Sequence, residues 1–62
     1  MFYIELIKED LLTFAEDFGK TKKEAVKHLI EDVNDFYRKN YKSLKEIRSD
    51  NNISDVIIRK ID

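Results

Sequence analysis

A chain of 62 residues is one domain at most, near the size at which a single apolar core only just offsets chain entropy. The absence of cysteine excludes a disulfide scaffold, and the net charge of −1 excludes a strongly basic or acidic balance overall. With no membrane-length apolar run, and with Glu5 but no basic leader in the opening Met1 to Ile7, a cytoplasmic protein stabilised by dimerisation or by a partner is expected.

In chain order, Ile4, Ile7, Leu11, Phe14, Ala15 and Phe18 recur at steps of three and four, which predicts an amphipathic helix over about residues 3–18. Phe2, Ile4 and Leu6 also alternate with Tyr3 and Glu5, so an N-terminal strand is the lesser reading. Gly19 is expected as a left-handed cap, and Thr21 with Glu24 has the capping-box spacing that starts a second helix. A stop and a start this close predict an antiparallel helical hairpin.

The second segment carries Val26, Ile30, Val33, Tyr37, Asn40, Leu44 and Ile47, a heptad seam that predicts one helix over about 22–49. Such a helix would run about 40 Å at ~1.5 Å per residue, longer than its partner helix can cover. Tyr37, Asn40, Leu44 and Ile47 are therefore expected at a dimer or partner interface, with Asn40 setting the register; a break near Asn40 is the alternative. Asp50, Asn51 and Asn52 form a turn signal before Ile53, Val56, Ile57, Ile58 and Ile61. That tail suits either a short helix capped by Ser54 or a strand over 53–61. The expected fold is thus all-α or mainly α: one domain over 1–62, with a hairpin over 1–49 and an arm over 50–62. A β-α-α-β layer, with the two terminal strands paired, is the lesser alternative.

Candidate chemistry is sparse. His28 is the sole histidine, which rules out a catalytic triad built with cysteine and any multi-histidine metal site within one chain. Glu24, His28 and Asp32 recur every four residues, but such pairs arise readily in a helix this charged, and no metal, cofactor or small-molecule substrate is expected. An enzyme is not expected either. Charge runs in alternating blocks, acidic over 1–19, basic over 20–30, acidic at Glu31, Asp32 and Asp35, and basic over 38–48. Thr21, Lys22, Lys23 and Lys27 surround a helix start, where free N–H groups favour an anion, and are candidates for phosphate or DNA contact.

Leu11, Phe14, Ala15 and Gly19, then Thr21, then Val26, Ile30 and Val33 together resemble the two helices of the ribbon-helix-helix family, dimeric DNA-binding proteins that include many antitoxins. The resemblance covers Leu11 to Phe36. It implies an N-terminal strand paired with its twin, phosphate contacts from Thr21, Lys22 and Lys23, and a partner-binding arm from Tyr41 to Asp62. An acidic Glu5 on the reading strand opposes DNA. The first expectation is therefore a non-catalytic, antitoxin-like interaction protein that dimerises through its helices. It would hold a protein partner with Ile53, Val56, Ile57 and Ile61 of its C-terminal third. A dimeric sequence-specific DNA-binding regulator is the alternative, and a phage or plasmid accessory protein acting by protein contact is the second alternative.

Overall fold

Alternation prevails over the three-four spacing in the first nineteen residues. The computed structural model describes residues 1–61, and in it the segment expected as a helix over 3–18 is a β-hairpin of β1 (Phe2–Lys8) and β2 (Thr13–Gly19). α1 (Lys22–Tyr37), α2 (Leu44–Asn51) and β3 (Ile53–Lys60) follow. The expected mainly α hairpin is overturned, since strands of 7, 7 and 8 residues stand beside helices of 16 and 8. The sheet order is β2-β1-β3 with both pairings antiparallel, so the first and last segments do pair, and a third strand lies where a helix was expected.

Phe2, Ile4 and Leu6 point from β1 to the helix-bearing face, where Ile4 and Leu6 are fully buried. The hairpin reverses over Glu9 to Leu12 without a glycine. Leu11 N–H donates to the Lys8 carbonyl at 2.8 Å and Lys8 N–H to the Leu12 carbonyl at 2.9 Å. Leu11 holds a left-handed φ of 65°, the position that glycine normally takes in this three-residue turn. Beyond the turn, the β1–β2 register slips at Leu6/Ile7, leaving Phe14 as the extra residue of a β-bulge. That slip sends Phe14 to the helix side and lets both periods appear in one sequence, which is why the helical spacing misleads.

Gly19 is not the left-handed cap expected of it, since no glycine has positive φ. It ends β2 against the first turn of α1, and an added Cβ would lie 2.3 Å from Ala25 N and 2.7 Å from Glu24 C. The capping box is as expected locally. Thr21 Oγ1 accepts Glu24 N–H at 3.1 Å, and the Glu24 carboxylate accepts Lys20 N–H at 3.2 Å. Ala25, Leu29 and Val33 then bury one face of α1 over β1 and β2.

The helix expected over 22–49 is two helices. α1 stops at Arg38, which is left-handed at φ 56° and donates its N–H to the Asn34 carbonyl. Asn34 also ties down the linker, its amide donating to the Tyr41 carbonyl at 3.0 Å and its Oδ1 accepting Tyr41 N–H at 2.8 Å. Asn40 is an exposed linker residue and not a seam position. α2 begins at a second capping box, Ser43 accepting Glu46 N–H at 3.3 Å, and places Ile47 in the core beneath β3. Asn52, left-handed at φ 54°, turns the chain into β3. Among the described residues no helix is long and apolar enough to cross a membrane.

Two substitutions test this account. Gly19→Ala is expected to destabilise the fold by about 2 kcal/mol, because α1 backbone rather than a movable side chain meets the new methyl. Leu11→Gly is expected to stabilise it by about 1 kcal/mol by relieving left-handed strain. Urea denaturation of both variants reads the two effects.

Candidate functional site

The site is a groove of about 410 Å³ between β2 and the C-terminal half of α1, lined by residues of both. The bulged Phe14 stacks on Tyr37 with ring centroids 5.3 Å apart and planes 7° from parallel, and Phe36 meets Tyr37 edge-on at 4.8 Å. Phe36 is 79% exposed, far more than a ring of this size needs to be in a packed helix. Asp32 and Asp35 of α1 supply carboxylates beside these rings, while Glu16 lines the groove from β2 with its carboxylate held by Tyr3 on the other face of the sheet. Leu11 and Leu12, both exposed, continue the apolar surface along the chain from Phe14 into the β1–β2 turn.

Behind the groove two acids are brought together. Asp17 lies opposite Ile4 in the register and so faces α1, where Asp32 meets it. Two carboxylates have no donor between them unless one is protonated. Asp17 Oδ2 is buried with no donor. A hydrogen bond to Asp17 that only the protonated form can make, with desolvation second, holds the Asp32 carboxyl above its usual range. One turn earlier, the His28 ring lies with Nδ1 2.7 Å from the Phe18 carbonyl, so Nδ1 carries a hydrogen and donates it. The carbonyl draws His28 above its usual value.

The opposite face of the sheet carries a second acid pair. Glu5 and Glu16 lie directly across from each other, a like-charge pairing that disfavours the ladder. Tyr3 Oη bridges them, 2.8 Å from Glu5 and 2.7 Å from Glu16, and its single proton serves one or the other. Thr13 donates its hydroxyl hydrogen to Glu5 as well. The Glu16 bond above all raises the Tyr3 phenol, while the Thr13 bond leads in lowering Glu5.

The structure scatters the residues singled out in the sequence. Thr21, Lys22, Lys23 and Lys27 are exposed at the start of α1, but the Glu24 carboxylate already sits on the backbone there. Tyr37 alone among the expected interface positions lines the groove. Asn40 is in the linker, Leu44 is half-buried, and Ile47 and Ile53 belong to the chain's own core. Val56 and Ile57 are half-buried on β3, and Ile61 is exposed beyond it. Sequence reasoning missed Phe14, Glu16, Asp32, Asp35 and Phe36 as a group, since strand and helix bring them together only after the hairpin and its bulge are formed. No family model, curated protein or solved structure matches the chain.

The raised Asp32 carboxyl has a definite pH signature. A carboxyl whose folded pKa is raised contributes stability fully below its unfolded value, about 3.8 for Asp32, and loses it as pH rises through the folded value. Asp32→Asn, which keeps the hydrogen bond without a titration, is expected to be more stable than the parent at pH 7 and to lose that advantage at pH 4. Urea midpoints at the two pH values check this, and equal midpoints for parent and variant at pH 7 would contradict the upward shift of Asp32.

Proposed function

We propose that this chain is a non-catalytic interaction protein that holds a cationic segment of a partner protein in the groove between β2 and the end of α1. The carrying observation is the exposed Phe36, beside the stacked Phe14 and Tyr37 and flanked by Asp32 and Asp35. Aromatic faces attract guanidinium and ammonium groups, and carboxylates add a charge that selects against acidic partners. A cation arriving near Asp32 would offset the repulsion between Asp32 and Asp17, so binding favours the ionised form of Asp32. The lining offers rings and carboxylates without a thiol, imidazole or aliphatic hydroxyl, which favours holding over nucleophilic chemistry. The partner surface differs from the C-terminal third expected from the sequence, because Ile47 and Ile53 are already covered by the chain itself. A cytoplasmic setting belongs to the same reading.

Amide shifts in an NMR titration with a peptide alternating arginine and valine are expected at Phe14 to Glu16 and Asp32 to Tyr37. Binding should weaken with salt, and Asp32→Lys with Asp35→Lys should reduce affinity at least tenfold. Equal binding of the glutamate counterpart of the peptide, or shifts confined to α2 and β3, would overturn the reading.

A nucleic-acid role has one observation in its favour. Lys60 and Gly19 both lie opposite Phe2, and Lys22 Nζ stands 5.9 Å from the Phe2 ring centroid, so Lys20, Lys22 and Lys60 share one end of the sheet. On that reading, replacing Lys22 and Lys23 by alanine lowers retention on duplex DNA at low salt in a gel-shift assay; unchanged retention removes it.

A further inference from the structure

β3 is an edge strand, and its free side carries backbone groups aimed at solvent. Ile61 N–H donates to the Met1 carbonyl at 2.8 Å across the β1–β3 ladder. Backbone groups alternate in direction along an antiparallel strand, so Ile57 and Arg59 also aim at β1, whereas Val56, Ile58 and Lys60 aim N–H and C=O outward. The hydrogen bonding agrees. Val56 N–H, with no strand to receive it, is taken by the carboxylate of its neighbour Asp55 at 2.9 Å. Proteins usually blunt such an edge with charges, prolines or bulges. Here the bulge sits at Ser54 and a lysine at Lys60, leaving Val56, Ile57 and Ile58 uninterrupted between them.

We infer that the free edge of β3 pairs antiparallel with β3 of a second copy of this chain, with the two-fold axis at Ile57. The strand is self-complementary only in that register. An axis at Ile57 sets Asp55 against Arg59 of the second copy and Val56 against Ile58, and repeats both pairs on the other side. The outward residues Val56 and Ile58 then exchange backbone hydrogen bonds, as the ladder requires. An axis at Val56 would put Asp55 opposite Ile57, and one at Ile58 would put Arg59 opposite Ile57, leaving the charges without partners.

The faces also agree. Asp55, Ile57 and Arg59 lie on the open side of the sheet with Ile7, Glu5 and Tyr3, and Val56 and Ile58 lie on the helix side with Leu6 and Ile4. Ile58 is 39% exposed, because α1 covers β2 and β1 and does not reach over β3. Pairing would cover it with Val56 of the second copy. It would also free the Asp55 carboxylate from Val56 N–H to meet the guanidinium of Arg59, which in the single chain rests 5.1 Å from the Tyr3 ring centroid. The product is a continuous six-stranded sheet with β2 at each outer edge. There Phe18 N–H and its carbonyl are already occupied by Asp17 and His28, which blunts that edge against further pairing.

Sedimentation equilibrium of the full chain tests the pairing. The parent is expected to dimerise, and Asp55→Arg or Arg59→Asp alone to weaken self-association about tenfold or more by facing like charges. An equimolar mixture of the two variants should recover parent-like association as a heterodimer, since every facing pair is then opposite in charge. Because Arg59→Asp also removes a contact to Tyr3, cysteine placement gives a second readout in this cysteine-free chain. Ile57→Cys should form an intermolecular disulfide under mild oxidation, the residue facing itself across the axis, whereas Ile58→Cys should not. A parent that stays monomeric at millimolar concentration, single variants that associate as the parent does, or cross-linking of Ile58→Cys as fast as Ile57→Cys would each overturn the inference.

Discussion

The rest of this structure depends on β1 being paired on both sides. Its backbone groups are satisfied by β2 on one flank and β3 on the other, and this allows Ile4 and Leu6 to be buried completely in so small a chain. A fully buried aliphatic side chain contributes roughly 1.5–3 kcal/mol relative to exposure, so these two with Leu29 and Ile47 form the greater part of the core's driving force. α1 can approach that core this closely only because Gly19 has no side chain where the helix starts. Pairing, burial and the close approach at Gly19 are mutually dependent parts of one packing arrangement.

Two irregularities in the ladders adapt that arrangement to other ends. The bulge at Phe14 turns a ring from the open side of β2 to the helix side, where it meets Tyr37 and builds the wall of the groove. The slip at Ser54 does the same for Ile53, which reaches the core, while the Ser54 hydroxyl lies 3.2 Å from the carbonyls of Ile7 and Lys8 and satisfies one of them at a time. Each bulge gives up a regular ladder position in exchange for a side chain in a place that strict alternation forbids.

Acidic groups are gathered on both faces of β2, and hydroxyls offset their repulsion on one of them. Asp17 and Asp32 meet on the helix side, where Asp17 holds the Asp32 carboxyl above its usual range, and Tyr3 and Thr13 bridge to Glu5 and Glu16 on the other. Like charges brought together in this way leave a surface with more negative potential than a net charge of −1 suggests. A cationic partner relieves that potential, whereas the edge of β3, with Asp55 and Arg59 two residues either side of Ile57, is balanced and complements itself.

Both helix starts were written in local chemistry, Thr21 with Glu24 and Ser43 with Glu46, although only the first was used in the sequence reading. The β-branched tail and the alternation in Phe2 to Leu6 likewise carried the strands that form, because side-chain shape and pleat act over a few residues. The hairpin between them was not legible. Its turn has Leu11 where glycine would announce a reversal, and its bulge breaks the two-residue period at the point where a helical spacing takes over. Nor did the seam through Tyr37, Asn40 and Leu44 reveal that Asn34 would cross-bond to Tyr41 and end α1. The groove and the free edge of β3 belong wholly to tertiary structure. Phe14 meets Tyr37, and Asp17 meets Asp32, only once strand pairing has set which side chains share a face, and no local preference encodes that choice.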